Sequence, residues 1–564
     1  MVKTYNNLLP VEEPKYFSDI RDLYRSSAVS FGNKVLYYYS EDGEKKQITY
    51  AEFWNTIKAF GNALFKFELE KAHIAVVGDT HPYWVAAFAA VLSSGGVIVP
   101  LDHELDEDEM IAFMKKADCT AVVYTDCMNK RFTSRLDDLS FINYFIPIHP
   151  SGEAFSGGRV IAFDDLLATG RLMIENGDDR FENAPIDMEK MSALLFTSGT
   201  TGTSKGVMLS HKNFAACVRA ACNATQYGTS STFVSVLPIH HTFELSTQHL
   251  AMSNLGGTAL INESLRYATR NFKEFKPNNL ILVPLFLETV HKKIWNEIKK
   301  KGIEKRVKTS MKAALALLRV GIDVRPKLFS QITAAFGGEL RSVVVGGAPI
   351  DPEIVKDFYA FGITVVQGYG ITECSPLIAV NRPGRVKFDA VGEVVDCCEV
   401  RIDPIEGSPA GEGEILVKGD NVMIGYYEDE EATAAAFSSD GYFRTGDIGY
   451  VDEDAFIHIT GRKKNVIIAS NGKNVFPEEI EERLLKYDLI KECVVLQRGE
   501  DIVALVYPDP EKKLSEDEAQ QAIKDAITAL NKTLPTYKHI VKFEIRSEEF
   551  EKTPTKKIKR FLLH

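Results

Sequence analysis

The sequence predicts an α/β protein with a large N-terminal domain of sandwiched α/β sheets, a small β-barrel unit within it, and a small α+β domain at the C-terminus. Three observations carry this. Through most of the chain, short β-branched runs of strand length alternate with longer amphipathic stretches, the pattern of largely parallel sheets covered by helices. From Glu399 the texture changes to short alternating segments split by Gly and Pro. After Arg462 it changes again, to a mixture of helix and strand patterns long enough to fold separately. The expected domains are residues 1–461, with the barrel-like part at 385–461, and residues 462–564.

In chain order, HIAVVGD (from His73), TAVVYT (from Thr120), NLILVP (from Asn279) and SVVVG (from Ser342) have strand length and β-branched content. The uncharged run from His81 to Leu101 is long enough to resemble a membrane span. Ser93-Ser94-Gly95-Gly96 break it, so a buried helix, a turn and a buried strand are expected. LFLETVHKKIWNEIKKKG, from Leu285, reads as an amphipathic helix. EVRIDPIEG, GEILVKG and AFIHITG read as antiparallel strands. In the last segment VFPEEIEERLLKY opens a helix, CVVLQ and DIVALVYP are strands, and Ser515 with Glu518 stands at capping-box spacing before another helix.

The composition is that of a globular protein: 564 residues, 45% hydrophobic and 26% charged. With 66 basic against 78 acidic residues the net charge is -12, which argues against nucleic acid as the main partner. Eight scattered cysteines without zinc spacing read as free thiols of a reducing compartment, and the N-terminus lacks the apolar run of a signal peptide. A soluble cytoplasmic protein is expected.

The most distinctive stretch is LLFTSGTTGTSKGVMLSH, Leu194 to His211. It fails the Walker pattern in both defining places, because Ser204 stands where Gly belongs and Gly206 follows Lys205. Its physics still suits phosphate: glycines expose backbone N–H groups, hydroxyls donate, and Lys205 adds positive charge. A merely polar loop is the alternative. SVVVGGAPIDPE runs from a strand into Gly346-Gly347, with Asp351 and Pro352 placed as N-cap and first helical residue. ITVVQGYGITE repeats the arrangement at Gly368-Tyr369-Gly370. If the two strands are parallel, both glycine segments emerge at their carboxyl ends, where open α/β sheets bind ligands. Tyr369 could then stack on a base and Glu373 could hold Mg²⁺ on phosphates. A packed aromatic and a solvated carboxylate are the alternatives.

The ordered series of motifs resembles the adenylate-forming superfamily of acyl-CoA synthetases, peptide-synthetase adenylation domains and luciferases. The resemblance runs from TYAEFW and VIVPLD to the C-terminus. It implies that FTSGTTGTSKGV is a phosphate loop, with Thr197, Ser198, Gly199, Thr200, Thr201, Gly202, Thr203 and Lys205 on the nucleotide. In LPIHHTFE it puts His241 near the acyl site, as a catalytic residue. It assigns Gly346, Gly347, Ala348, Gly368, Tyr369, Gly370 and Thr372 to adenylate binding, with Thr372 and Glu373 also catalytic and Glu373 the magnesium ligand. YFRTGD puts Asp447 on the ribose hydroxyls, and GRKKNVI puts Arg462 at a second ribose or phosphate contact and Lys464 at an interdomain hinge. Gly472 corresponds to the pantetheine channel and Lys557 to the catalytic lysine. The terminal motif departs from the common pattern, since Lys556 replaces its glycine. That ending and Phe243-Glu244 are most similar to the long-chain fatty acyl-CoA synthetase branch. By composition alone, Lys556, Lys559 and Arg560 are a solvated or membrane-surface charge run.

The resemblance implies ATP-dependent activation of a carboxylic acid, of medium to long chain, through an acyl-adenylate, followed by transfer to the thiol of CoA. The cofactors would be ATP and Mg²⁺, with CoA as co-substrate. An acyl-carrier-protein acceptor and a catalytically silent acyl-nucleotide binder are the alternatives. A fatty substrate adds transient association at a membrane surface to the expectations. Chain length, aliphatic versus aromatic preference and oligomeric state stay open.

Overall fold

The computed structural model describes residues 4–5, 16–41, 43–148, 160–197, 204–225, 227–468, 473–499, 501–552 and 558–563. Its body is two large sheets with helices packed against them. One orders its strands as Gly425–Tyr426, Lys205–Ser210, Met191–Thr197, Val97–Leu101, His73–Val77, Cys119–Thr125 and Tyr144–Ile148. The other runs Glu393–Val394, Leu377–Val380, Thr364–Gly370, Ser342–Val345, Asn279–Leu282, Thr232–Ser235, Thr258–Ile261, Val35–Glu41 and Glu44–Thr49. The four runs read as strands from their β-branched content are all strands, and their neighbour pairings are mostly parallel. Both faces of such strands are buried, which is why they are continuously apolar rather than alternating.

The run from His81 to Leu101 folds as its glycines dictate. His81 caps a helix, Pro82–Ser94, by accepting from the Tyr83 N–H, and Gly95 ends it in the left-handed region at φ 103°. A fully buried strand, Val97–Leu101, follows. The helix is apolar on nearly every side because it lies inside the main core. Among the described residues no helix is long and apolar enough to cross a membrane. All eight cysteines are free thiols.

Two features position the candidate site. Strands Ser342–Val345 and Thr364–Gly370 are parallel and in register from Ser342 opposite Thr364 to Val345 opposite Gln367, so Gly346 and Gly368 lie side by side at their carboxyl ends. Gly368-Tyr369-Gly370, expected as a loop, is instead the end of the strand, held by antiparallel pairing to Leu377–Val380. The second feature is the antiparallel sheet Thr4–Tyr5, Cys398–Pro404, Gly413–Gly419, Phe443–Val451 and Ile457–Arg462. It is open where a barrel-like unit was expected. Its edge at Ile457 turns to the larger sheet instead of to Thr4–Tyr5, through the Val391 N–H to the Ile457 carbonyl and a bridge from Glu393 to Phe456.

Beyond Ile467 the chain has its own apolar clusters, built on strands Ile490–Arg498, Asp501–Pro508 and Lys542–Ile545 and on helices Pro477–Leu484 and Glu516–Asn531. The capping box of Ser515 and Glu518 is formed in full. Polar contacts bridge this part to the body: Lys292 to Asp509 at 3.2 Å, Lys486 to Asp351 at 3.6 Å, and the Asn474 side chain to the Glu406 carbonyl and Ser408 hydroxyl, both at 2.9 Å. Arg560 is no part of a solvated run. Its guanidinium pairs with Glu481, a buried carboxylate that also accepts from the Val495 N–H at 2.6 Å. Burial pushes the Glu481 carboxyl up to about 7, against the opposing pull of Arg560.

Candidate functional site

The hydroxyl-rich stretch joins two paired strands, Met191–Thr197 and Lys205–Ser210, with Thr197 opposite Lys205. Ser198, Gly199, Thr200, Thr201, Gly202 and Thr203 lie outside the described residues. At the base of the loop the Lys205 ammonium sits 4.5 Å from the centre of the Tyr426 ring, a cation–π contact. The Tyr426 hydroxyl donates to Glu373 Oε1 at 3.0 Å. Burial and the Glu373 charge both raise the Tyr426 phenol above its ordinary pKa, so it stays a donor. The Met423 N–H donates to the Glu373 carbonyl at 2.8 Å, fixing the same residue through its backbone. Thr372 opens the short turn Thr372–Cys374 that carries Glu373.

Glu373 is half-buried, and no group of three metal-ligating side chains exists among the described residues. The donor set therefore does not form an all-protein metal cage. It does suit Mg²⁺, which keeps one or two carboxylates and takes its other ligands from phosphates and water.

A second cluster lies on the neighbouring elements. Asp447, on strand Phe443–Val451, is opposite Arg462 on the adjoining strand. Its Oδ1 is 2.7 Å from Arg462 Nε, and its Oδ2 accepts from the Tyr369 hydroxyl at 2.7 Å. The Asp447 N–H is tied to the Thr445 hydroxyl at 3.0 Å, so the carboxylate is fixed at backbone and side chain. Burial and the Asp447 charge hold the Tyr369 phenol protonated. Tyr369 is thus a buried ring with a committed hydroxyl.

The Tyr369 ring also lines a cavity of about 70 Å³ with Phe243, Thr247, Gly346, Gly370 and Leu377. Two glycines make room there. A Cβ at Gly370 would sit 2.0 Å from the Pro376 carbonyl oxygen, and one at Gly346 would sit 3.1 Å from Phe243 Cζ. Gly347, at φ 85°, and Ala348 are exposed just beyond the strand, before the helix Pro352–Phe361 that Asp351 caps as expected. Tyr227 closes the cavity elsewhere, with its hydroxyl buried and without a hydrogen-bond partner.

His241 is half-buried at the start of the segment that carries Phe243. Its ring lies 4.1 Å, centre to centre, from that of His240. His240 is buried 3.6 Å from Asp102, and burial beside His241 and His103 lowers its pKa well below the ordinary value, leaving it neutral. Lys464 is exposed on the turn Lys463–Asn465, just before the separate apolar clusters begin. Gly472 and Lys557 lie outside the described residues.

The structure therefore brings Thr197, Lys205 and Glu373 into one cluster, and Gly346, Gly368, Tyr369, Gly370, Asp447 and Arg462 into another. Sequence reasoning missed Tyr426, Thr247, Tyr227, His240 and Asp102. Nothing in their local pattern separates them from core residues; they matter through partners far away in the chain.

The AMP-binding enzyme family profile matches residues 24–427. The chain belongs to the AMP-binding enzyme family. Residues 464–562 match the AMP-binding enzyme C-terminal domain. Among curated relatives of this AMP-binding enzyme, long-chain-fatty-acid–CoA ligase 5 of Rattus norvegicus is 29% identical over 88% of this chain and 76% of its own. Long-chain-fatty-acid–CoA ligase FadD15 of Mycobacterium bovis is 27% identical over 93% of this chain and 92% of its own. Such relatives set the chain in the long-chain branch of the adenylate-forming superfamily. Its fold is shared with the anthranilate CoA ligase AuaEII bound to anthranoyl-AMP, at a TM-score of 0.75 and 21% identity over 97% of both chains. It is also shared with ATP-bound MatB from Rhodopseudomonas palustris, at a TM-score of 0.74 and 23% identity over 97% of this chain and 98% of that one.

Proposed function

We propose that this AMP-binding enzyme activates a medium- to long-chain fatty acid with ATP and transfers the acyl group to CoA. The coarser activity, AMP-forming acid–CoA ligation, rests on family membership and on the two relatives above, both long-chain-fatty-acid–CoA ligases by name. The fatty acid rests on the names of those relatives and on the apolar cavity. One observation ties acyl and nucleotide chemistry together: Tyr369 contributes its ring to the cavity and its hydroxyl to Asp447.

A carboxylate cannot expel oxide, so it must first be activated. Its oxygen attacks the α-phosphate of ATP, the bond to pyrophosphate breaks, and a mixed acyl–AMP anhydride forms. Two anions meet in this step, so catalysis is mainly positioning and charge neutralisation. Asp447 and Arg462 orient the ribose, the loop from Thr197 to Lys205 holds the departing phosphates, and Lys557 bridges the carboxylate and the α-phosphate. Glu373 would hold Mg²⁺, which supplies further positive charge to the phosphates. In the second step the thiol sulfur of CoA attacks the acyl carbon and AMP leaves. The part beyond Lys464 turns between the steps, removing Lys557 and presenting Gly472 to the narrow pantetheine arm.

The test is acid-dependent ATP–pyrophosphate exchange across straight-chain acids of increasing length and a few aryl acids, followed by acyl transfer to CoA and to a holo-carrier protein. Exchange restricted to medium and long chains, with CoA as the better acceptor, is expected. Exchange with aryl acids alone refutes the fatty-acid reading. No exchange with any acid makes the chain a silent binder.

A further inference from the structure

The cavity wall formed by Phe243 and Thr247 stands on an unusual piece of backbone. The helix that begins at Thr242 passes at once into a π-helical turn, Leu245–Leu250. Such turns are less well packed than α-helix and persist where something else holds them. Here the holder is Glu244, wholly buried and absent from the adenylation chemistry above. Its Oε1 accepts from the Ser235 hydroxyl at 2.6 Å and from Gln248 Nε2 at 3.0 Å, and His249 Nε2 lies 3.6 Å away. His249 is five residues on from Glu244, the spacing that a π turn stacks and an α turn does not. The network continues: His249 Nε2 is 3.2 Å from the Ser235 hydroxyl, and its Nδ1 is 3.0 Å from the Tyr37 hydroxyl. Ser235 belongs to the sheet strand Thr232–Ser235, so the turn is pinned to the rigid part of the fold.

The same turn reaches the candidate site. The Thr247 hydroxyl donates to the Phe243 carbonyl, locking the two cavity residues together. Ser246 donates to the Ser375 carbonyl at 2.9 Å, two residues beyond Glu373. A buried carboxylate with this many contacts is costly to place and more costly to leave half-paired.

We infer that Glu244 is a positioning residue that fixes the π turn and thereby sets which acyl chains the cavity accepts. This rests on the acid–CoA ligase reading. The cavity encloses only about 70 Å³ as it stands, so any sizeable acyl group enters as the Phe243–Thr247 wall shifts, and the Glu244 network decides how far it shifts.

The test compares wild type, Glu244→Ala and Glu244→Gln as full-length proteins, reading kcat/KM for a ladder of straight-chain acids together with KM for ATP. Glu244→Ala is expected to raise KM for the preferred acid about tenfold, as the loss of hydrogen bonds to a buried charge implies, and to flatten the chain-length profile while leaving KM for ATP within about twofold. Glu244→Gln keeps an acceptor for Ser235 and Gln248 and puts its amide nitrogen where Oε2 has no partner, so it should retain the wild-type profile. An unchanged profile in Glu244→Ala, a uniform loss for all acids accompanied by a parallel rise in KM for ATP, or equal flattening by Glu244→Gln overturns the inference. Should Glu244→Ala fail to fold, Ser235→Ala removes the shortest of the contacts and makes the same comparison. A wild type that turns over only aryl acids sinks the fatty-acid reading, and the Glu244 comparison is then made on those acids.

Discussion

Asp447→Asn probes the proposed ribose contact most directly. A carboxylate offers about four acceptor sites. Arg462 takes one at Oδ1 and Tyr369 one at Oδ2, each at 2.7 Å. In the proposed complex a ribose diol is held on these same two oxygens. Asparagine replaces one of these oxygens with a donor, so either Arg462 or Tyr369 faces an N–H and one ribose hydroxyl loses its acceptor. Hydrogen bonds to a charged group contribute about 1.5–3 kcal/mol each, which corresponds to a rise of about 10- to 150-fold in KM for ATP. KM for the acid should change by less than about twofold, because Asp447 is not among the residues that line the cavity. Pyrophosphate exchange supplies both constants. The decisive arm uses an ATP analogue lacking the 2′ and 3′ hydroxyls. Wild type should lose a comparable factor on this analogue, and Asp447→Asn should lose little more, since the two changes remove the same contact. Penalties that multiply in full would show that Asp447 does not touch the ribose, and the nucleotide assignment would fall.

Other expectations follow from the same framework. Lys557→Ala should lose adenylate formation by about 10²–10³-fold while still transferring acyl groups from supplied acyl-adenylate, and Gly472→Leu should do the reverse; loss of one and the same half-reaction in both variants refutes the two-conformation scheme. The C-terminal part should depend on pH through Glu481. Burial raises this carboxyl from 4.5 to about 7, so the folded state holds the proton more tightly than the unfolded chain. Its stabilisation is full below about pH 4.5 and is lost as pH rises to about 7, with a total of about 3 kcal/mol. Thermal unfolding across that range should show the slope in wild type and lose it in Glu481→Gln; a slope that persists assigns the pH dependence to other groups.

Much of the architecture is legible in local pattern. The β-branched runs at His73, Thr120, Asn279 and Ser342 are strands because a buried parallel sheet needs apolar groups on both faces. Gly95 ends a helix because only glycine reaches φ 103° without strain. Asp351, Ser515 and Glu518 cap helices because side-chain oxygens satisfy free N–H groups one turn away. These choices are settled within a few residues, and the ordered motifs add the family.

What tertiary structure alone decided are the pairings between distant residues. From the sequence Tyr369 reads either as a base-stacking aromatic or as a packed one, and only the tertiary structure commits its hydroxyl to Asp447. Tyr426 carried no signal until it came between Lys205 and Glu373. Arg560 reads as a solvated charge until Glu481 is buried beneath it. Glu244 is a lone acid in LPIHHTFE, and it becomes the pin of a π turn only when Ser235 and His249 close around it. The open edge of the Cys398–Pro404 sheet has the same origin, since its last strand found a partner in another sheet. Helix caps and strand runs obey short-range sterics and hydrogen bonding, which a sequence displays directly. A buried polar contact is defined by which two segments the whole fold desolvates together, and that depends on every layer of packing between them.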